Sequence, residues 1–169
     1  MIYICLTAIS LVLLVVQTAV MPIFPIFDNF YDLIVPLVIY IGLRFSIKEG
    51  FLFVCLLGLL SDTMSGGPFG IFTTVYVWLF SATNWLFTFL QVRNNLLAPF
   101  FVPAGVFMEN CLFMGIFFLL NPEFVYPVNT IEIVLGQTMW ALFTGPPLLL
   151  AINFCVKKWN LMTSFVFAG

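Results

Sequence analysis

Glu109 is the one carboxylate deep within an apolar run of this chain, and Asp62 lies at the outer end of another. Carboxylates in such settings serve as acid–base pairs, as ion or ligand sites, or as acceptors that hold the polar ends of helices. Glu109 stands near the middle of its run with Asn110 beside it, and no Lys, Arg or His lies at comparable depth. An ionisable group there is costly and normally faces the bundle interior. It fits either a site for a ligand, ion or partner or a protonated, hydrogen-bonded packing residue. Gly105, one turn earlier on the same face, would let another backbone approach closely.

Asp62 sits in the segment Gly58-Leu59-Leu60-Ser61-Asp62-Thr63-Met64-Ser65-Gly66-Gly67-Pro68-Phe69-Gly70. No Lys-Ser/Thr follows the glycines, so a phosphate-binding loop is excluded. Gly66 and Gly67 supply a sharp turn, Pro68 suits the first position of the next helix, and Asp62 reads as a turn and capping residue. Further on, Thr74, Ser81, Asn84, Thr88 and Gln91 recur at helical spacing, with Val77 completing the row. Such a stripe in lipid faces protein or water, through interhelical hydrogen bonds or a partner or cavity surface. Thr7, Ser10, Leu14 and Gln17 form a weaker row in the first stretch.

Other chemistries are missing. Histidine is absent, which removes imidazole triads, metal clusters and proton shuttles. Cys5, Cys55, Cys111 and Cys155 form no CxxC pair and read as small buried hydrophobes, although Cys155 beside Lys157 and Lys158 also fits a lipidation site. Asp62 and Glu109 belong to different depths and lack a basic partner, so no hydrolase constellation is present. A non-enzymatic protein without cofactor or metal is expected.

The elements that must position these residues are helices in a bilayer. Of the residues, 63% are hydrophobic and 7% charged, with a mean hydropathy of +1.20. A soluble domain has about 45–50% apolar and about 25% charged residues, so soluble, disordered and nucleic-acid-binding classes are excluded. One transmembrane domain over residues 1–169 is expected, with six apolar stretches. They run from Ile2 to Met21, about Phe30 to Phe45 (with Pro36 inside), Gly50 to about Met64, Phe69 to Val92, Leu96 to Leu120, and about Thr130 to Val156. Spanning takes about 20 residues, which the first, fourth, fifth and sixth supply. The second and third have about 15 residues each, or about 23 Å of helix, and suit a thinned bilayer or a re-entrant pair. In the sixth, Ala141 and Gly145 predict close packing, and Pro146-Pro147 a break and kink. The first stretch lacks a basic leader and a cleavage site, so it reads as a retained helix.

Charge placement favours six crossings. With the N-terminus inside, Arg44, Lys48, Arg93, Lys157 and Lys158 all fall on the cytoplasmic side with Glu49, while Asp28, Asp32, Asp62, Glu123 and Glu132 fall on the other side or at its edge. A re-entrant pair would strand Arg44 and Lys48 in the membrane, so the second and third segments are expected to cross.

The Gly58–Gly70 segment resembles the motif of the rod-shape-determining protein MreD family. Gln17-Thr18 followed by Met21-Pro22 is similar to the end of that family's first helix. Asp32-Leu33 with the apolar run to Tyr40 and Arg44 is similar to its second segment, with Tyr31 where the family often has proline. The likeness is detailed over roughly the first 70 residues; beyond Gly70 only length and hydropathy agree. It implies a non-enzymatic scaffold of the bacterial inner membrane that works with the bitopic protein MreC. Through MreC it links the filament protein MreB to the elongation-specific peptidoglycan synthases. It also implies a six-helix fold similar to the substrate-binding subunits of energy-coupling-factor vitamin transporters, which sets the alternative function. Those subunits usually carry small Ala residues at i, i+4 on the first helix, where this chain has Ala8 and Val12. The positions singled out as partner or structural candidates are Gln17, Asp32, Asp62, Gly66, Gly67, Pro68, Gly70, Asn84 and Glu109.

Overall fold

In a computed structural model of the chain, residues 2–24, 30–90, 98–120 and 128–167 are described. All regular structure among them is helical. The six α-helices are α1 (Ile2–Val15), α2 (Ile34–Arg44), α3 (Ile47–Ser65), α4 (Ile71–Leu90), α5 (Ala98–Leu120) and α6 (Thr130–Phe167). After α1 the chain continues as a π-helical turn, Val16–Val20, and a short 3-10 turn, Met21–Ile23.

Three helical segments, Tyr3–Ile23, Phe100–Leu120 and Thr130–Leu161, are long and apolar enough to cross a membrane. The fourth was expected among them. It has 20 residues, but its threonines, serine and asparagine keep it out of that set.

The sixth stretch differs most from expectation. Its helix does not stop at Pro146-Pro147 or at Lys157 but runs for 38 residues, about 57 Å. Close packing at Gly145 does hold, since a Cβ there would lie 2.7 Å from Val102 Cγ1 of α5.

The second stretch is shorter than its apolar run, at 11 residues or about 17 Å. Every residue from Leu33 to Gly42 is buried, so α2 is the hub around which α4, α5 and α6 pack. A helix apolar all round belongs inside a fold. Pro36 falls in its first turn, where a missing N–H costs no intrahelical bond. The third stretch gains residues instead. Ile47, Lys48 and Glu49 join its first turn and bring it to 19 residues, about 29 Å.

The fourth helix begins at Ile71, two residues later than the apolar pattern suggested. Gly70, at φ +96°, lies outside the right-handed helical region and delays it. Pro68 therefore lies in the turn and is not the first helical residue.

Candidate functional site

Gln17, Asp32, Ser61 and Tyr76 come from four separate stretches and meet around one small polar cavity, with Asp62 next to Ser61 in the chain and Glu109 within electrostatic reach of Asp32 and Tyr76. Local demands explain most of it. Asp62, 3% exposed on α3, reaches across to the uncapped start of α4. Its Oδ1 accepts the N–H of Phe72 at 2.9 Å, and its Oδ2 accepts the N–H and hydroxyl of Thr73 at 3.2 and 2.6 Å. This is N-capping by a residue of the preceding helix, and it satisfies two of the backbone donors at the start of α4 that have no partner within the helix. Close approach makes it possible: a Cβ on Gly58 would lie 2.4 Å from Thr73 Cα. Gly66 ends α3 in the left-handed conformation at φ +65°. Gly67 has neither positive φ nor a close neighbour, so the turn depends on Gly66 and Gly70 instead.

The buried helix α2 has the same need at both ends. At its start Gln17 Oε1 accepts the N–H of Leu33 at 3.2 Å, and Asp32 Oδ1 accepts the N–H of Ile34 at 2.8 Å. At its end Asn84 Nδ2 donates to the carbonyls of Gly42 and Phe45 at 3.1 and 3.3 Å. The remaining oxygen of Asp32 accepts the hydroxyl of Tyr76. That hydroxyl also lies 3.4 Å from Ser61 Oγ. Beside them, a cavity of about 80 Å³ is lined by Gln17, Asp32, Ser61, Ser65, Tyr76 and apolar neighbours. It has room for a few water molecules and the polar groups to bind them.

Glu109, 4% exposed, comes in from α5. Its Oε1 is buried with no hydrogen-bond partner among the described residues, and it lies within electrostatic reach of Asp32 and Tyr76. Asp32, which the sequence places on the outer side or at its edge, lies within electrostatic reach of Glu109. Gly105 is approached by a side chain and not by a backbone, since a Cβ there would lie 2.6 Å from Ile39 Cδ1.

The polar stripe of α4 divides. Only Asn84 bonds to another helix, whereas Thr74, Ser81 and Thr88 are exposed and return their hydroxyls to carbonyls of the preceding turn. Gln91 lies outside the described residues. Next to it runs a second inward row, Thr73, Tyr76 and Thr83, which sequence reasoning missed. Its signal was there as polar positions three and seven apart among large hydrophobes. The cysteines are also corrected: Cys5 is buried, Cys55 half-buried, and Cys111 and Cys155 exposed.

Charge separates along the bundle. Arg44 Nη2 donates to Asn153 Oδ1 at 3.2 Å, which brings Arg44 to the Lys157–Lys158 end of α6, with Lys48 just beyond on α3. The cluster with Asp32 and Asp62 lies at the opposite end of α2 and α3, as does Glu132 on the first turn of α6. Arg93, Asp28 and Glu123 lie outside the described residues. Comparison with protein-family models, curated proteins and solved structures finds no match.

Proposed function

We propose that this chain is a non-enzymatic, six-span scaffold of the bacterial inner membrane, with both termini cytoplasmic, that helps maintain rod shape by linking MreC, MreB and peptidoglycan synthases. One observation carries the proposal. The marks of the resemblance, Gln17, Asp32 and the Gly58-to-Gly70 segment, are far apart in sequence yet meet in one cluster. Residues that converge in this way behave as one device, which gives the motif a physical meaning beyond its letters. Arg44, Lys48, Lys157 and Lys158 at one end, with Glu49 the one carboxylate among them, and Asp32, Asp62 and Glu132 at the other support the orientation.

The device holds helices in register and has the character of a scaffold. Asp62 is occupied by three hydrogen bonds at the start of α4, and Asp32 by Ile34 and Tyr76. The cavity beside them, about 80 Å³, is smaller than the roughly 300 Å³ or more that a small-molecule site occupies. A vitamin would therefore have to bind elsewhere than at this cluster. Depletion in the bacterium that makes this protein tests the choice. Rounded cells with dispersed wall synthesis are the expected result. Rods of normal width that require an added vitamin would overturn the scaffold in favour of the transporter subunit.

A further inference from the structure

α1 packs on α6 and α2, while α3 packs chiefly on α4. Between α1 and α3 this leaves a groove of about 900 Å³ along the flank of the bundle. Ile4, Leu11, Leu52 and Leu56 line it and are all more than half exposed. Three of its hydroxyls are already spent within their own helices, because Thr7, Ser10 and Thr63 donate to the carbonyls of Ile4, Thr7 and Leu60 at 2.9, 2.8 and 2.8 Å. The walls therefore suit hydrocarbon.

One end of the groove is charged. Lys48 and Glu49 both line it and both are exposed. As i, i+1 neighbours on a helix they point apart and do not quench one another. They offer a separate positive and negative group side by side. From Lys48 to Leu60 the groove follows α3 for about 18 Å, close to half of the roughly 30 Å hydrocarbon core.

We propose that this groove binds one phospholipid whose headgroup carries both a phosphate and a primary ammonium, as in phosphatidylethanolamine. The phosphate sits at Lys48, the ammonium at Glu49, and the acyl chains lie along Leu52 and Leu56. A headgroup with phosphate alone leaves Glu49 facing a like charge, and a quaternary ammonium gives Glu49 no hydrogen-bond donor. The inference rests on the chain lying in a bilayer and not on the wall-elongation partners.

Native mass spectrometry of the full chain in mild detergent tests it, with phosphatidylethanolamine, phosphatidylglycerol and phosphatidylcholine of identical acyl chains. Wild type is expected to retain phosphatidylethanolamine about fivefold better than either of the others, the scale of one ion pair at a wet surface. The double variant Lys48→Gln/Glu49→Gln changes only exposed groups and should bring the three lipids to parity. Leu56→Trp should lower retention of all three. If Leu56→Trp does not fold, the charge variant decides alone. Equal retention by wild type, a preference that survives the charge variant, or a partner's transmembrane helix cross-linked into the groove in place of lipid would each overturn the proposal. Carbonate extraction of cell membranes reports separately on whether the chain is integral.

Discussion

Removing the Asp62 carboxylate should be the most damaging single change at the α3–α4 junction. Asp62→Ala deletes three hydrogen bonds, of 2.9, 3.2 and 2.6 Å, and leaves the N–H groups of Phe72 and Thr73 without their acceptor. Loss of an N-cap costs about 0.5–2 kcal/mol, and each buried orphaned group about 1–3 kcal/mol. Because the two overlap, a total of about 2–4 kcal/mol is expected. Asp62→Asn keeps one acceptor oxygen, for the N–H of Phe72, and its amide can donate to the Thr73 hydroxyl. One N–H is still orphaned, so about 1–2 kcal/mol is expected. Thr73→Val removes a single bond and should cost about 1 kcal/mol. At about 2–4 °C per kcal/mol for a chain of this size, melting in detergent should fall in the order Asp62→Ala, Asp62→Asn, Thr73→Val. The double variant Asp62→Ala/Thr73→Val should be only slightly worse than Asp62→Ala, because the second change removes a bond already gone. Additive losses, or an Asp62→Ala protein that melts like wild type, would refute capping of α4 by Asp62.

Gly70→Val should lower stability by about 1–2 kcal/mol through its positive φ, and Gly67→Val by less than about 0.5 kcal/mol; equal melting losses would contradict the observed turn. Glu109→Gln and Glu109→Leu should both retain wild-type melting, because the buried Oε1 has no hydrogen-bond partner among the described residues and an apolar replacement relieves its desolvation. Complementation of cell shape by these variants then reports on function, and a large melting loss in Glu109→Leu would show that a partner group holds it. In a background without the native cysteines, a cysteine at Val128 should react with an impermeant maleimide in intact spheroplasts, and one at Lys158 should not. Labelling of Lys158 before lysis would reverse the orientation.

The helical class and the six segments were legible because apolar runs and punctuation such as Pro22, Pro25 and Gly66-Gly67 are local signals. Segment ends were not, because long-range contacts decide them. Lys48 and Glu49 read as loop yet sit in a helical turn, where a carboxylate suits the N-terminus. Pro146-Pro147 reads as a break, yet packing of Gly145 against Val102 holds α6 in place around it. The capping role of Asp62 was readable from its neighbours, but its target ten residues on was not. Asn84 was singled out as part of a stripe, and what it does is close α2, an element whose need appears only once α2 is buried. Tyr76 was hidden because aromatic residues are plentiful here, and burial alone separates it from exposed Trp78 and Trp85.

The scaffold proposal meets its most direct test in quantitative co-purification from native membranes under mild detergent, with mass spectrometry of everything retained. The account predicts MreC at near-stoichiometric recovery, reduced in the Asp62→Ala protein in proportion to its loss of folded material. Recovery of an energy-coupling ATPase module without MreC would contradict it, as would MreC at the level of an unrelated membrane protein.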